Sequence, residues 1–360
     1  MAVKVKYLTL IIVSFTTLLF LVQSYLKYQI SDVQKVLVIS RHGARTSFHP
    51  LPGEQDPICL QPIISYGKHQ HKINQPSKNC EPGDLVQLGF DQHKELGKRW
   101  RLAYSHLIGS KYDPSTVYLR SSDTPRTRAS LAGQLEGMYP VPQNVTVYTP
   151  NSQLDGTFPH YLCNWRIGFK QYIESQTRFD LKKLNALRAK TNTTLNWDMF
   201  YDSFQSSISM NQSHPATDNE LRMAQAETNK LWNGLFCNQN DTLYTSHTKA
   251  AIGPIFDDIE SFMQSGLKFG IFSSHDTVIA PLMSALTNRA WECELPRFAS
   301  DIVFELLAGD VLRVFYQNRP VKLAACGEFA CPIAAVFAGF APFKLDAESR
   351  KGMCETEFAQ

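Results

Sequence analysis

The apolar pattern of the chain changes period several times, and each change predicts an element. Val36-Leu-Val-Ile-Ser40 is a short, largely β-branched run suited to a buried strand, and it leads straight into Arg41-His42-Gly43-Ala44-Arg45. From residue 84 to about 107 the spacing becomes helical. Leu85, Leu88, Leu96, Trp100, Ala103, Tyr104 and Leu107 keep mostly to one face, with Asp84 placed as N-cap. Residues 116–119 predict a second strand ending at Arg120, and Pro125 after Ser121-Ser122-Asp123 predicts a helix start. Residues 268–274 return to strand character and stop at His275-Asp276, after which 277–286 continue as a helix. Residues 302–306 and 311–316, joined through Ala308-Gly309-Asp310, read as an antiparallel hairpin.

Two long stretches interrupt this order. Residues 46–83, rich in Pro, Gly, Gln and Lys, read as a loop that starts at the histidine and is placed to wall a substrate entrance. Residues 158–262 are rich in helix formers, Trp, Phe and Asn, with no clear strand run, and predict a helical insertion. The predicted class is α/β: a mixed central sheet with flanking helices plus a smaller inserted helical cap. The core covers 31–157 and 263–345, the cap 158–262, and residues 346–360 form a tail tied down by Cys354. Three strands then deliver polar chemistry at their C-terminal ends: His42, Arg120, and His275 with Asp276. In an open α/β sheet, ligands bind at that edge.

Composition narrows the setting. The 360 residues are 43% apolar and 19% charged, which fits a globular protein and excludes disorder. A formal charge of +3 is too small to argue for nucleic acid or an anionic membrane surface. Lys4 and Lys6 precede an apolar run from Tyr7 to Val22, so residues 1–24 read as a signal peptide cleaved near Ser24, or as an uncleaved signal anchor. Either form puts the body on the lumenal or extracellular side. The 8 cysteines lack zinc-site spacing and read as disulfides. Glycosylation sequons stand at Asn144, Asn192, Asn211 and Asn240. Together these features predict a secretory-pathway protein, extracellular or in the lysosomal lumen. The alternative is a type II membrane-anchored protein with a lumenal catalytic body.

Arg41 and Arg45 bracket His42 with planar, permanently charged forks suited to phosphate oxygens. Positive neighbours disfavour the imidazolium form, so His42 reads as a nucleophile, with Gly43 allowing a sharp backbone turn after the strand. Arg41-His42-Gly43-Ala44-Arg45 resembles the RHGxR motif of the histidine acid phosphatase family. Tyr118-Leu-Arg120-Ser-Ser-Asp123-Thr-Pro-Arg126-Thr127 and Ser274-His275-Asp276-Thr277 resemble its other landmarks, and the similarity runs from about Lys35 to Cys354. Ser47 stands where that family usually has proline.

The resemblance implies a phosphoglycerate-mutase-like histidine phosphatase core and hydrolysis of phosphomonoesters through a phosphohistidine on His42. Arg41, Arg45, Arg120 and His275 would hold the phosphoryl oxygens and Asp276 would protonate the leaving alcohol, with no metal and no cofactor. Arg126 also matches the family pattern, although its place in a first helical turn predicts, as for Arg128, pairing with carboxylates. The implied disulfides are Cys163–Cys354, Cys237–Cys293 and Cys326–Cys331. The remaining pair, Cys59–Cys80, would close the entrance loop, a feature not taken from the family. The implied partners are small-molecule or protein phosphomonoesters, not nucleic acid. A membrane enters only if the leader stays uncleaved, and the oligomeric state stays open, a homodimer being one option because dimers occur in that family.

Two other readings compete. A phosphoglycerate-mutase-like phosphotransferase uses the same RHG chemistry, but the leader, sequons and cysteines oppose a cytosolic enzyme of that kind. A non-catalytic phosphate-binding relative is opposed by the intact set Arg41, His42, Arg45, Arg120, His275 and Asp276.

Overall fold

Side-chain alternation along β1 (Val33–Arg41) sets the layers of the molecule. The computed structural model describes residues 32–52, 58–61, 68–70, 75–77, 79–141, 144–158 and 163–359, so the expected leader at 1–24 lies outside the described residues. The short strands β2 (Cys59–Gln61), β3 (Lys68–Gln70) and β4 (Gln75–Ser77) belong to the entrance loop. Then come β5 (Val117–Ser121), β6 (Asn144–Thr146), β7 (Phe269–Ser274), β8 (Asp301–Leu307), β9 (Val311–Tyr316), β10 (Arg319–Pro320) and β11 (Ala330–Pro332). The main sheet has the order β10-β9-β8-β1-β7-β5, with β11 beside β9. Strands β1, β7 and β5 are mutually parallel, while β8 and β9 form the expected antiparallel hairpin. The register aligns Arg41 with Ser274 and Ser121 with Ser273, so three parallel strands end at one level of the sheet.

Leu37 and Ile39 face a layer made by α8 (Asp241–Gln264) and α9 (Asp276–Thr287), through Ile252, Ile255, Phe256, Val278 and Leu282. Val36 and Val38 face α1 (Gln87–Ala103) and α3 (Pro125–Met138), through Leu96, Trp100, Leu131 and Leu135. Each such side chain, fully buried, contributes about 1.5–3 kcal/mol of transfer free energy. A single turn, α2 (Ser105–Ile108), follows α1. Asp84 is not the N-cap of α1: Val86 holds that position, because Leu85 and Val86 are drawn into β-bridges with Arg45 and Cys59. The Asp84 carboxylate instead accepts the Glu81 N–H at 2.9 Å.

Helices α1 and α3 cross at very short range. A Cβ on Gly97 would stand 2.0 Å from the Gln134 carbonyl oxygen. Gly97→Ala is therefore expected to destabilise the protein by about 1–3 kcal/mol, the usual cost of overpacking. The urea midpoint should fall with m unchanged; an unmoved midpoint would show that the two helices can separate at no cost.

The described part of the insertion is helical: α4 (Asn164–Gln176), α5 (Leu181–Thr191), α6 (Trp197–Ser209), α7 (Asp218–Phe236) and α8. Its last helix, however, also serves the sheet, since α8 residues 251–263 pack under β1 and β7. The tail forms α10 (Ile333–Phe340) and α11 (Ala347–Glu355). The cysteines pair as Cys59–Cys80, Cys163–Cys354, Cys237–Cys293 and Cys326–Cys331. Cys59–Cys80 ties the start of β2 to the far side of β4, closing the loop in front of the sheet edge. Asn144, Asn192, Asn211 and Asn240 are all exposed. Among the described residues no helix is long and apolar enough to cross a membrane.

Candidate active site

His42 is held by its backbone from two directions. Its N–H donates to the Ser274 carbonyl at 2.9 Å, and its carbonyl accepts the Ala299 N–H at 3.0 Å. Gly43 acts here through closeness and not through a left-handed turn: a Cβ would come 2.3 Å from the Gly89 carbonyl oxygen on α1. The His42 Nδ1 lies 2.9 Å from the Gly43 carbonyl oxygen. A carbonyl only accepts, so Nδ1 carries the proton and Nε2 keeps its lone pair. Burial first, then the fields of Arg126, Arg41, His275 and Arg45, hold this imidazole well below its ordinary value of 6.5. The ring is thus a neutral, oriented base in a cationic pocket.

Arg41 and Arg45 flank it, both buried. Arg41 Nη2 pairs with Asp276 Oδ2 at 2.7 Å, and its Nη1 donates to the Pro296 carbonyl. Arg45 takes both oxygens of Asp202 on α6, at 2.5 and 3.3 Å. The Phe298 ring supports the group, with its centroid 4.4 Å from Arg41 Cζ and 5.9 Å from the His42 ring. The Phe48 ring lies 4.1 Å from Arg45 Cζ and 5.4 Å from Arg126 Cζ, so the entrance loop does reach the site. Ser47, at the expected proline position, uses its hydroxyl: it bonds Ser203 Oγ on α6 at 3.1 Å and accepts the His49 N–H at 2.9 Å.

The second histidine lies 5.5 Å from the first, ring to ring. His275 Nε2 bonds Ser122 Oγ at 2.8 Å, and its Nδ1 faces Arg126 Nη2 at 3.3 Å. A guanidinium only donates, so Nδ1 is the acceptor and Nε2 carries the proton. Burial, then Arg126, Arg41 and Arg45, keep His275 well below 6.5 as well. Asp276 opens α9 directly after His275; its Oδ1 accepts the Thr277 N–H at 2.7 Å. It is the first helical residue and not the N-cap. The N-termini of α9 and α3 therefore both meet the site, an arrangement that favours anions.

Arg120 is a correction to the sequence reading. Its Nη2 pairs with Asp155 Oδ1 and its Nη1 with Asp258 Oδ2, both at 2.7 Å, and those two carboxylates raise its pKa despite burial. The physical reason is depth along the strand: Arg120 is level with Phe272 and Ile39, one pleat short of Arg41 and Ser274, and stands 5.1 Å from the Phe272 ring on the sheet face covered by α8. Its forks are spent on structure. Arg126, one turn further on, lies against His275 and exerts the largest charge effect on both histidines. Sequence reasoning missed Asp202, Phe298, Ser122 and the Pro296 carbonyl, which converge from separate loops and helices. Arg126 and Ser122 had a signal, since both lie in the stretch that matches the family pattern. Among the described residues no group of three His, Cys, Asp or Glu side chains is arranged to hold a metal.

A profile of the histidine phosphatase superfamily (branch 2) matches residues 32–159. The lysosomal acid phosphatase of Xenopus laevis is 25% identical over 354 residues, covering 85% of this chain and 75% of that protein. The prostatic acid phosphatase of Rattus norvegicus is 23% identical over 357 residues, covering 85% of each. The apo phytase of Hafnia alvei superposes with a TM-score of 0.60 over 90% of this chain and 98% of that one, at 14% identity, a likeness of fold. The match over residues 32–159 and the likeness to curated acid phosphatases along most of the chain support a histidine phosphatase of branch 2. More narrowly, they support the histidine acid phosphatase family and, with it, phosphatase activity.

Proposed function

We propose that the protein is an acid phosphatase that hydrolyses phosphomonoesters through a phosphohistidine on His42. One observation carries the reading: the Nδ1 contact to the Gly43 carbonyl leaves Nε2 bare among Arg41, Arg45 and Arg126. Nε2 attacks phosphorus as the bond to the leaving oxygen breaks, and Asp276 gives that oxygen a proton. Water then attacks the phosphohistidine, Asp276 takes the water's proton, and inorganic phosphate leaves with His42 restored. Arg41, Arg45 and Arg126, with the two helix N-termini, stabilise charge on the equatorial oxygens. His275 orients Arg126 through Nδ1 in the ligand-free site. The incoming phosphoryl dianion competes with Asp276 for Arg41, which frees the carboxyl to hold its proton. The leader, disulfides and exposed sequons support a secretory-pathway location, extracellular or lysosomal.

The test is hydrolysis of p-nitrophenyl phosphate across pH, with and without EDTA. Activity should peak below neutrality and survive the chelator; loss with EDTA, restored by zinc or magnesium, sinks the reading. The pH profile has a signed dependence on Arg126. Removing this cation favours the imidazolium, so Arg126→Gln should raise the His42 pKa and move the acidic limb of kcat/KM upward. An unmoved limb would detach Arg126 from the nucleophile.

A further inference from the structure

Outside the reaction centre, a buried and a half-buried guanidinium group stand together without a counter-ion among the described residues. Arg166 lies in the first turn of α4, three residues after Cys163, and Arg350 lies on α11, four residues before Cys354. On a helix those spacings put cysteine and arginine on one face, so the Cys163–Cys354 disulfide brings the two arginine-bearing faces together. Arg350 is fully buried; its Nε donates to the Ala250 carbonyl at 2.8 Å, while Nη1 and Nη2 have no hydrogen-bond partner among the described residues. Arg166 Nε and Nη1 are buried and equally unpartnered. Neither group forms an ion pair among the described residues. The nearest carboxylate fields come from Asp276 and Asp155, and these are already committed to Arg41 and Arg120. The N-terminus of α4 adds further positive potential, since its N-cap, Cys163, offers no side-chain acceptor and its first turn holds no acid.

Unpaired cations in a protein interior are costly, and a second like charge beside the first adds to that cost. We propose that Arg166, backed by Arg350, forms a second oxyanion site on the Asp276 side of the reaction centre. It would select phosphomonoesters whose leaving alcohol carries its own carboxylate or phosphate. The inference rests on the phosphatase reading, because it is Asp276 that meets the leaving oxygen. Burial pushes the Arg166 guanidinium down to about 10, and burial with the field of Arg166 pushes Arg350 down to about 9, yet both remain charged at and below neutrality.

Glycerol 3-phosphate and 3-phosphoglycerate differ by a hydroxymethyl group against a carboxylate, which makes them a matched test. Arg166→Gln should lower kcat/KM for 3-phosphoglycerate by about 10- to 100-fold, the usual worth of a charge-assisted contact. It should change glycerol 3-phosphate by less than about threefold, and Arg166→Lys should keep most of the preference. Calorimetric titration with inorganic phosphate should find two sites in the wild type and one in Arg166→Gln, with circular dichroism confirming the fold. Arg350→Met, which removes the supporting charge, should weaken the second phosphate site without touching the first. Equal loss on both esters, or a single phosphate site in the wild type, overturns the proposal. If the wild type hydrolyses neither ester, the phosphatase reading fails by itself, and the phosphate titration still decides whether the anion site exists.

Discussion

His42→Ala should remove turnover by about 10⁴-fold or more, because in the proposed mechanism both chemical steps pass through one nitrogen. The protein should remain folded: the ring's hydrogen bond is to the adjacent Gly43 carbonyl, and the backbone bonds to Ser274 and Ala299 do not depend on the side chain. Trapping must respect the chemistry, since a phosphohistidine survives alkali and not acid. Rapid alkaline quench of wild type with labelled substrate should put phosphate on His42, and the variant should take up none. A variant that still turns over, or label on another residue, ends the assignment.

The second large effect belongs to Asp276. An alkoxide leaving group needs a proton as its bond to phosphorus breaks, whereas p-nitrophenolate does not. Asp276→Ala should therefore cost about 10² to 10⁴ in kcat on alkyl phosphates, and distinctly less on aryl phosphates with acidic phenols. The same substitution also frees Arg41 from its 2.7 Å pair, but that part of the loss falls equally on every substrate. Measuring kcat for both proteins across a leaving-group series separates the two contributions. A ratio of rates that is flat in leaving-group pKa removes the acid role and leaves Asp276 as an anchor for Arg41.

Much of this was legible because local patterns and tertiary structure agree. The β-branched run before Arg41 is a strand, the return to strand before His275 is another, and Pro125 opens a helix. These three facts alone bring His42 and His275 to one sheet edge. The reading failed where one pleat of register mattered. Arg120 lies near the end of its strand and on the same sheet face as Arg41, but level with Ile39 and Phe272, where it meets Asp155 and Asp258, which stand 35 and 138 positions away in the chain. No local pattern announces those carboxylates. The N-terminus of α1 was misplaced for a similar reason: Leu85 and Val86 find strand-like partners in Arg45 and Cys59 before the helix begins. Asp202 and Phe298 were invisible because neither carries a motif; one comes from the cap and the other from the loop before β8.

The grip of Asp202 on Arg45 has a thermodynamic corollary. Arg45 belongs to the sheet side of the molecule and Asp202 to α6, a helix of the insertion, with the Ser47–Ser203 contact alongside. On the proposed function, a phosphoryl group that draws Arg45 toward itself would loosen this tie, which would make occupancy and the seating of the insertion linked variables. Linkage is reciprocal: on the proposed function, whatever biases α6 would alter phosphate affinity by the same factor that phosphate alters α6. If the proposed function holds, affinity for the ester is then adjustable from a surface that never touches it.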